Sequence, residues 1–297
     1  MNTKIINSFI ITLVLSIYTS NIKAQVNTPE AYRLYNDKGQ TMSYPQLISQ
    51  LSKADVVFLG EIHNCAMTHW LELRILQSLY QVHGNKLSLG MEMLEADNQL
   101  VLNEYLQGLV SSDRFESEAR LWPNYSTDYA PLVSFAREHH LPVWATNVPR
   151  RYAAMVKEHG LHFLASLSKE AQQYFPPLPI AYQKNEQAEQ GFALMQMMRG
   201  KKTGDANNHL SEAQALKDAT MAWNIAKHAQ EKLLHINGNI HSDAKEGILT
   251  YLRQYAPHRK VITVRAVRQE DISKLEDAYK GLANYYICIP EDMAMSY

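Results

Sequence analysis

Short apolar runs alternate with longer amphipathic stretches, and this alternation constrains the fold more than any other feature of the sequence. The apolar runs lie at 54–60, 86–93, 141–147, 232–239, 260–267 and 283–290, and each is short enough to form one buried strand. After the first run, leucine and isoleucine side chains recur at helical spacing, at Leu71, Ile75, Leu76 and Leu79. Strands that alternate with helices predict an α/β fold with a mostly parallel sheet flanked by helices.

The stretch from about 161 to 231 interrupts this alternation because it contains no good strand candidate. It begins with helical sequence and then has the proline-rich PPLP at 176–179 and the polar run YQKNEQAEQ. A Met-rich helical pattern and a second, longer helical pattern follow. We interpret the stretch as a helical cap inserted into a single domain that covers residues 25–297.

The first 24 residues belong to a different class of sequence. Lys4 precedes the apolar stretch FIITLVLSIY, which is short for a membrane-spanning helix, and a small residue, Ala24, precedes Gln25. This pattern is typical of a secretory signal peptide over residues 1–24, and an uncleaved membrane anchor is the alternative. The signal peptide predicts an exported protein that is periplasmic or surface-associated. Because no cysteine occurs before Cys65, we do not expect a lipoprotein.

The composition is that of a folded globular protein, with 46% hydrophobic and 20% charged residues. The formal net charge of −1 provides no electrostatic attraction for nucleic acid, which is therefore not an expected partner. Cys65 and Cys288 are the only cysteines, and the chain has no CxxC pattern for zinc and no CxxCH for covalent haem. One disulfide bond and two separate buried thiols are both compatible with this sequence.

Polar residues that could carry chemistry follow several of the predicted strands. Glu61 and His63 end the first strand, Glu92 lies inside the otherwise apolar GMEM, and the strand in HINGNIH leads to Asn237 and His241. Ligands of open parallel sheets bind beyond the carboxyl ends of the strands, where these residues would meet. The segments GEIH and GNIH share the pattern GxxH, which would direct two imidazoles into one cleft.

These residues fit two kinds of chemistry. His63, His241 and Glu92 could bind a divalent transition metal, or the same three with Glu61 could act as general acids and bases. We expect support for the cleft from four further polar residues, namely Asn147, Arg150, Asp218 and Asn237. Each residue taken singly also fits a structural role, such as an ion pair between Glu92 and either Arg150 or Arg151. Taken together, the four residues Glu61, His63, Glu92 and His241 at strand ends favour a shared functional pocket.

Side chains suited to haem lie close in sequence within the predicted cap. Met195 and Met198 share one helical stripe, and Tyr182 and His209 lie on either side of it in the sequence. Tyr, His and Met can all be axial ligands of haem iron, and Met suits the face of a porphyrin. The same stripe could instead pack the cap onto the core, and the residues alone favour that second interpretation.

Six motifs occur in order along the chain, namely GEIHN, GMEM, W-x-x-Y-x-x-x-Y-x-PL, PVWATNVPR, AQALKDATMAW and NGNIH. With these motifs the chain resembles the ChaN family of haem-binding uptake proteins, in the Tiki/TraB superfamily, over roughly residues 50–265. The resemblance implies an α/β core with a helical part, secretion, and haem binding linked to iron acquisition. It also implies that the paired GxxH and the glutamate of the superfamily correspond to His63, His241 and Glu92.

Two hypotheses of different classes follow. The first is an exported haem-binding protein of iron uptake, with haem as cofactor and Tyr182, His209, Met195 and Met198 as candidate ligands. Its expected partners are haem, outer-membrane haem-uptake machinery and, in a homodimer, a second copy of the chain. The second hypothesis is a metal-dependent hydrolase, a peptidase or esterase with a divalent metal, because other branches of the superfamily resemble hydrolases that share the glutamate and histidine set.

Overall fold

The computed structural model describes residues 29–186, 189, 209–228 and 231–296. Its described strands are β1 (Arg33–Asn36), β2 (Thr41–Met42), β3 (Val56–Glu61), β4 (Leu87–Glu95), β5 (Val143–Asn147), β6 (Lys232–Gly238), β7 (Val261–Gln269) and β8 (Tyr285–Pro290). They form one sheet in the order β2-β1-β8-β7-β3-β6-β4-β5. The strands from β8 to β5 in this order are parallel, and β1 pairs antiparallel with β2 and β8. The predicted α/β fold with a mostly parallel sheet is therefore confirmed.

Helices connect most of these strands. The described α-helices are α1 (Tyr44–Leu51), α2 (Ala66–His83), α3 (Gln99–Leu106), α4 (Ser112–Glu118), α5 (Ala130–Glu138), α6 (Arg150–His159), α7 (Lys169–Gln172), α8 (Leu210–His228) and α9 (Ile248–Tyr255). A π-helical turn, Tyr125–Tyr129, precedes α5, and a 3₁₀ turn, Asn239–His241, follows β6. None of the described helices combines the length and the apolar character needed to cross a membrane.

The central strand β3 separates two apolar cores. Val57 and Leu59 pack on one face with side chains of α2, α3 and α5, whereas Val56 and Phe58 pack on the other face with α6, α8 and α9. Successive side chains of a strand point to opposite faces, so an unbroken apolar run such as VVFL fits a strand covered on both sides. The carboxyl end of β3 thereby lies at the centre of one edge of the sheet.

The described part of the region 161–231 contains helices and no strand. It includes a 3₁₀ segment, Leu161–Ser166, followed by α7 and α8. Residues 187, 188 and 190–208, with Met195 and Met198 among them, lie outside the described residues. The helical cap therefore stays a prediction, as does the signal peptide over residues 1–24, which also lies outside them.

Candidate functional site

The carboxyl ends of β3, β4 and β6 lie side by side. Glu61, the last residue of β3, is in register with Gly238, and Met91 of β4 is in register with Ile236 of β6. Gly60 permits this convergence, because a Cβ there would lie only 2.6 Å from Asn239 Oδ1. Glu61, Glu92 and the turn after β6 are thus brought to one place.

Glu61 and His63 form a directly bonded pair at this edge. His63 Nδ1 lies 2.5 Å from Glu61 Oε1, which also accepts a hydrogen bond from the Tyr129 hydroxyl at 2.8 Å. Burial opposes the charge on both groups, but their contact outweighs it and raises the pKa of His63 while it lowers the pKa of Glu61. Glu61 is buried, whereas the His63 side chain is 36% exposed and packs its ring edge-on against Trp122.

His241 bridges two buried carboxylates. Its Nδ1 lies 2.5 Å from Asp218 Oδ1, and its Nε2 lies 3.2 Å from Glu92 Oε1. The other oxygen of Glu92 accepts a hydrogen bond from the backbone N–H of Gly238 at 2.7 Å. Burial disfavours a charged imidazole, but the charges of Glu92 and Asp218 outweigh it and raise the pKa of His241 to about 10. The pKa of Glu92 is correspondingly held well below its usual range, although burial alone would raise it.

The two groups meet at Gly238. A Cβ on this residue would lie 2.7 Å from His63 Nε2 and 3.6 Å from Glu92 Oε2, so the His63 ring rests against the bare backbone of the glycine. The structure therefore brings together the four residues predicted for the cleft, which are Glu61, His63, Glu92 and His241.

Of the predicted supporting residues, Asp218 and Asn237 contact the cluster. Asp218 binds His241 directly. The buried Asn237 side chain accepts from His235 Nδ1 at 3.0 Å and donates to Gly238 O at 3.0 Å and Ser242 Oγ at 3.1 Å. These bonds hold the turn that carries His241.

Arg150 does not form the ion pair with Glu92 that the sequence suggested as a structural alternative. Its guanidinium pairs with Glu95, and Glu95 also accepts from the Arg150 backbone N–H at 3.1 Å. Glu92 has His241 as its partner instead, so that ion pair is wrong. The buried Asn147 accepts from its neighbour's backbone N–H.

Two cavities lie beside Trp122. One, of about 320 Å³, is lined by Glu95, Trp122, Pro123, Asn147, Val148, Arg150 and Lys217. The other, of about 400 Å³, shares Trp122, Pro123 and Arg150 with it. Because Trp122 lines both cavities and contacts His63, the cavities adjoin the cluster.

A buried polar layer behind Glu61 was missed by the sequence reasoning. His69 Nδ1 lies 3.3 Å from Glu61 Oε2 and 3.2 Å from Glu72 Oε2, and His69 Nε2 lies 3.4 Å from Asp128 Oδ2. Burial and the Glu61 charge raise the pKa of Glu72. The contacts of His69 with Glu61 and Glu72 raise the pKa of His69 to about 11, although burial opposes this rise. The sequence did carry a signal for this layer, because His69 and Glu72 lie three residues apart on the buried face of α2.

The metal-ligand geometry also differs from the predicted set. Within the part of the chain that the structure describes, one group has ligand atoms within 4.8 Å of one another, and it consists of Glu61, His69 and Glu72. The metal set predicted from the sequence, His63, His241 and Glu92, shares no member with this group and stays a prediction.

The haem candidates Tyr182 and His209 each contact a carboxylate, Glu189 and Glu212 respectively. His209 Nδ1 lies 2.6 Å from Glu212 Oε1, and the phenol of Tyr182 donates to Glu189 Oε1 at 2.8 Å. Burial and the Glu189 contact raise the pKa of Tyr182 to about 12, with a smaller contribution from Glu212. The other two candidates, Met195 and Met198, lie outside the described residues.

The parallel sheet and the glutamate–histidine cluster at its carboxyl edge define an α/β protein with a polar cleft where such folds bind ligands. A family model described as "Haem-binding uptake, Tiki superfamily, ChaN" matches residues 47–252, and the chain belongs to this family. The resemblance inferred from the motifs is thereby confirmed.

Known structures share the fold at low sequence identity. A structure of cofacial heme binding to ChaN of Campylobacter jejuni has a TM-score of 0.66 and 18% identity, covering 86% of this chain and 96% of that one. An erythromycin esterase mutant in its open conformation has a TM-score of 0.50 and 12% identity, and the match covers 90% of this chain and 99% of the esterase chain. Among curated proteins, the chloroplastic RETICULATA-RELATED 5 of Arabidopsis thaliana is 28% identical over 134 residues, which are 43% of this chain. The match spans 18% of that relative's length.

Proposed function

We propose that this protein binds haem and acts in haem-iron uptake outside the cytoplasm. The observation that carries the proposal is membership of the ChaN family, whose model matches residues 47–252. The likeness in fold to ChaN of Campylobacter jejuni, a protein described with cofacial haem, is consistent with it.

Tyr182 is the first candidate for an iron ligand. This residue is 43% exposed, and its backbone is held because the buried Tyr251 hydroxyl donates to Ala181 O at 3.0 Å and accepts from Gln183 N at 3.1 Å. A phenolate can ligate haem iron, and Glu189 already accepts the phenol proton at 2.8 Å. Glu189 is therefore placed to take that proton when iron binds.

His209 is the alternative ligand, and it is held by a different carboxylate, that of Glu212. Glu212 binds its Nδ1 and also accepts from Leu161 N at 2.6 Å, so the carboxylate and the ring orientation are both fixed. The Nε2 atom of the imidazole is then available for iron.

The test is titration of the purified protein with haemin, followed at the Soret band. We expect saturable binding, at least tenfold weaker in Tyr182→Phe and unchanged in the matched control Tyr32→Phe, a partly buried tyrosine that packs near Trp70. Loss in His209→Ala but not in Tyr182→Phe would assign the ligand to His209. An unshifted Soret band with the wild-type protein would refute haem binding itself.

Export and assembly belong to the same proposal and have separate tests. Amino-terminal sequencing of protein expressed with its leader should begin at Gln25, and cell fractionation should recover it outside the cytoplasm. Sedimentation with and without haemin should show whether a second copy binds, and crosslinking in cells should show contact with outer-membrane uptake machinery. A mature chain that retains Lys4 would contradict cleavage.

Hydrolysis is a second candidate function, favoured by the geometry of His63. This imidazole is the exposed member of a cluster whose other three members are buried, and Glu61 fixes its Nδ1 at 2.5 Å. A histidine oriented by a carboxylate can serve as general base through its second nitrogen. The adjoining cavity of about 320 Å³ is large enough for a small ester or peptide group, with Lys217 on its wall.

Activity toward chromogenic esters and short peptides tests this second candidate. We expect kcat to fall about 100-fold or more in His63→Gln, as for loss of a general base, and to stay unchanged in the exposed control His258→Gln. Equal activity of the wild-type protein and His63→Gln would exclude the role of His63.

A further inference from the structure

We propose that Glu61, His69 and Glu72 bind one divalent transition-metal ion in a buried site behind the cleft. His69 Nδ1 lies 3.3 Å from Glu61 Oε2 and 3.2 Å from Glu72 Oε2. Ligand atoms at about 2.1 Å from a common ion are about 3.0 to 3.4 Å apart in octahedral or tetrahedral geometry. Both separations fall in this range.

Unpaired carboxylate oxygens support a cation at this place. Glu61 Oε2 and Glu72 Oε1 are buried and have no hydrogen-bond partner among the described residues. Both side chains have no exposed surface, and a buried carboxylate is stable as an anion only when cations or hydrogen-bond donors compensate its charge. A divalent cation would satisfy both oxygens and neutralise the two carboxylates.

The orientation of His69 directs one nitrogen, Nδ1, at the two glutamates. Its Nε2 faces two acceptors, the backbone oxygen of His63 at 3.2 Å and Asp128 Oδ2 at 3.4 Å, so Nε2 carries a proton and donates. Nδ1 lies against the two glutamates, so it can bind the ion through its lone pair once the ion has displaced the proton between them. Metal-binding histidines usually donate their second N–H to a carboxylate or carbonyl in this way.

The π-helical turn Tyr125–Tyr129 supplies the outer contacts of the site. Asp128 is held by Asn124 Nδ2 at 2.7 Å, and the Tyr129 hydroxyl binds Glu61 Oε1 at 2.8 Å. Glu61 therefore presents Oε2 alone to the ion. Single π-helical turns recur at functional sites, in agreement with such a role.

The donor set indicates the class of metal. Two carboxylates and one imidazole suit Zn²⁺ or Mn²⁺ and offer no thiolate for softer ions. Glu61 would bind the ion with its Oε2 atom while its Oε1 atom binds His63. The ion would therefore also fix the imidazole that faces the cleft. Because the site is enclosed, we expect it to be loaded as the chain folds.

Metal content decides the proposal. The full chain, produced with Zn²⁺ and Mn²⁺ in the medium and purified without chelator, should hold about one ion by plasma mass spectrometry. Glu72→Gln and His69→Gln should each reduce the content at least tenfold. The matched control is Glu92→Gln, because Glu92 is an equally buried carboxylate that belongs to the cleft and not to this site. Circular dichroism establishes that each variant is folded.

A second measurement covers variants that fail to fold. Wild-type protein refolded with Zn²⁺ or Mn²⁺ should melt several degrees higher than protein refolded with chelator, because an ion that binds only the native state stabilises it. The proposal would be overturned if the wild-type protein were purified without metal and its melting temperature did not rise on refolding with Zn²⁺ or Mn²⁺. It would also be overturned by an ion that is lost in Glu92→Gln and retained in Glu72→Gln, since that result places the ion in the cleft.

Discussion

Acidification should destabilise the protein through His235, a residue of β6. Its ring is fully buried next to Phe58, its Nδ1 lies 3.0 Å from Asn237 Oδ1, and its Nε2 lies 2.9 Å from the Thr146 hydroxyl. Within the described part of the chain, no carboxylate is hydrogen-bonded to this ring. Burial therefore dominates and lowers the pKa of His235 to about 4.

The size of the effect follows from the pKa difference between the two states. The unfolded chain binds a proton at His235 near pH 6.5, whereas the folded chain binds it only near pH 4. Unfolding is thus favoured as the pH falls through this window, and the loss levels off below the folded pKa. At about 1.4 kcal/mol for each unit, the free energy of unfolding should fall by about 2 kcal/mol between pH 7 and pH 5 from this residue alone.

Urea denaturation at these two pH values measures the contribution. The wild-type protein should lose about 2 kcal/mol more than His235→Gln, in which no group titrates at this position. Other ionisable groups titrate in both proteins and cancel in the difference. His258→Gln, which changes an exposed histidine, should behave as the wild type. Equal losses in wild type and His235→Gln would refute the assignment of a neutral buried imidazole.

Three further predictions concern packing, charge and thiol reactivity. Gly90→Ala should lower the free energy of unfolding by about 1 to 3 kcal/mol, because its Cβ would lie 2.8 Å from the immobile ring of His235; an unchanged melting temperature would contradict this. Asp218→Asn should lower the pKa of His241 from about 10 and destabilise the fold by about 3 kcal/mol, since one partner of a buried ion pair is lost. NMR titration of the imidazole and urea denaturation check the two effects. Burial raises the pKa of the Cys288 thiol to about 12, so this thiol should react with a disulfide reagent only after denaturation, and rapid labelling of native protein would contradict its burial.

The sequence predicted strands where apolar runs are long enough to be buried on both faces. All six predicted strands correspond to β3 through β8. The strands β1 and β2 were not predicted, because four and two residues are too short for a periodic pattern. The position of β1 depends on pairing with β8, which is distant in sequence, and β2 in turn pairs with β1. The strand order likewise depends on long-range pairing that no local pattern encodes.

The cleft residues were identifiable because parallel strands end at one edge of a sheet. Their partners were harder to predict, as Arg150 illustrates. It binds Glu95 and not Glu92 because β4 continues through Glu95, with an irregularity in pairing between Met91 and Glu95. A bulge of this kind changes which side chain faces a neighbour, and the sequence gives no sign of it.

The paired GxxH motif has a packing role in addition to its histidines. The glycine of each segment makes room for a residue of the other, since a Cβ at Gly60 would lie 2.6 Å from Asn239 Oδ1 and a Cβ at Gly238 would lie 2.7 Å from His63 Nε2. The two turns can therefore approach more closely than any side chain at either glycine would allow. This approach places His63 beside Glu92, and Glu92 together with Asp218 holds His241. The glycines thus determine how far apart the two imidazoles lie, and the carboxylates determine their orientation.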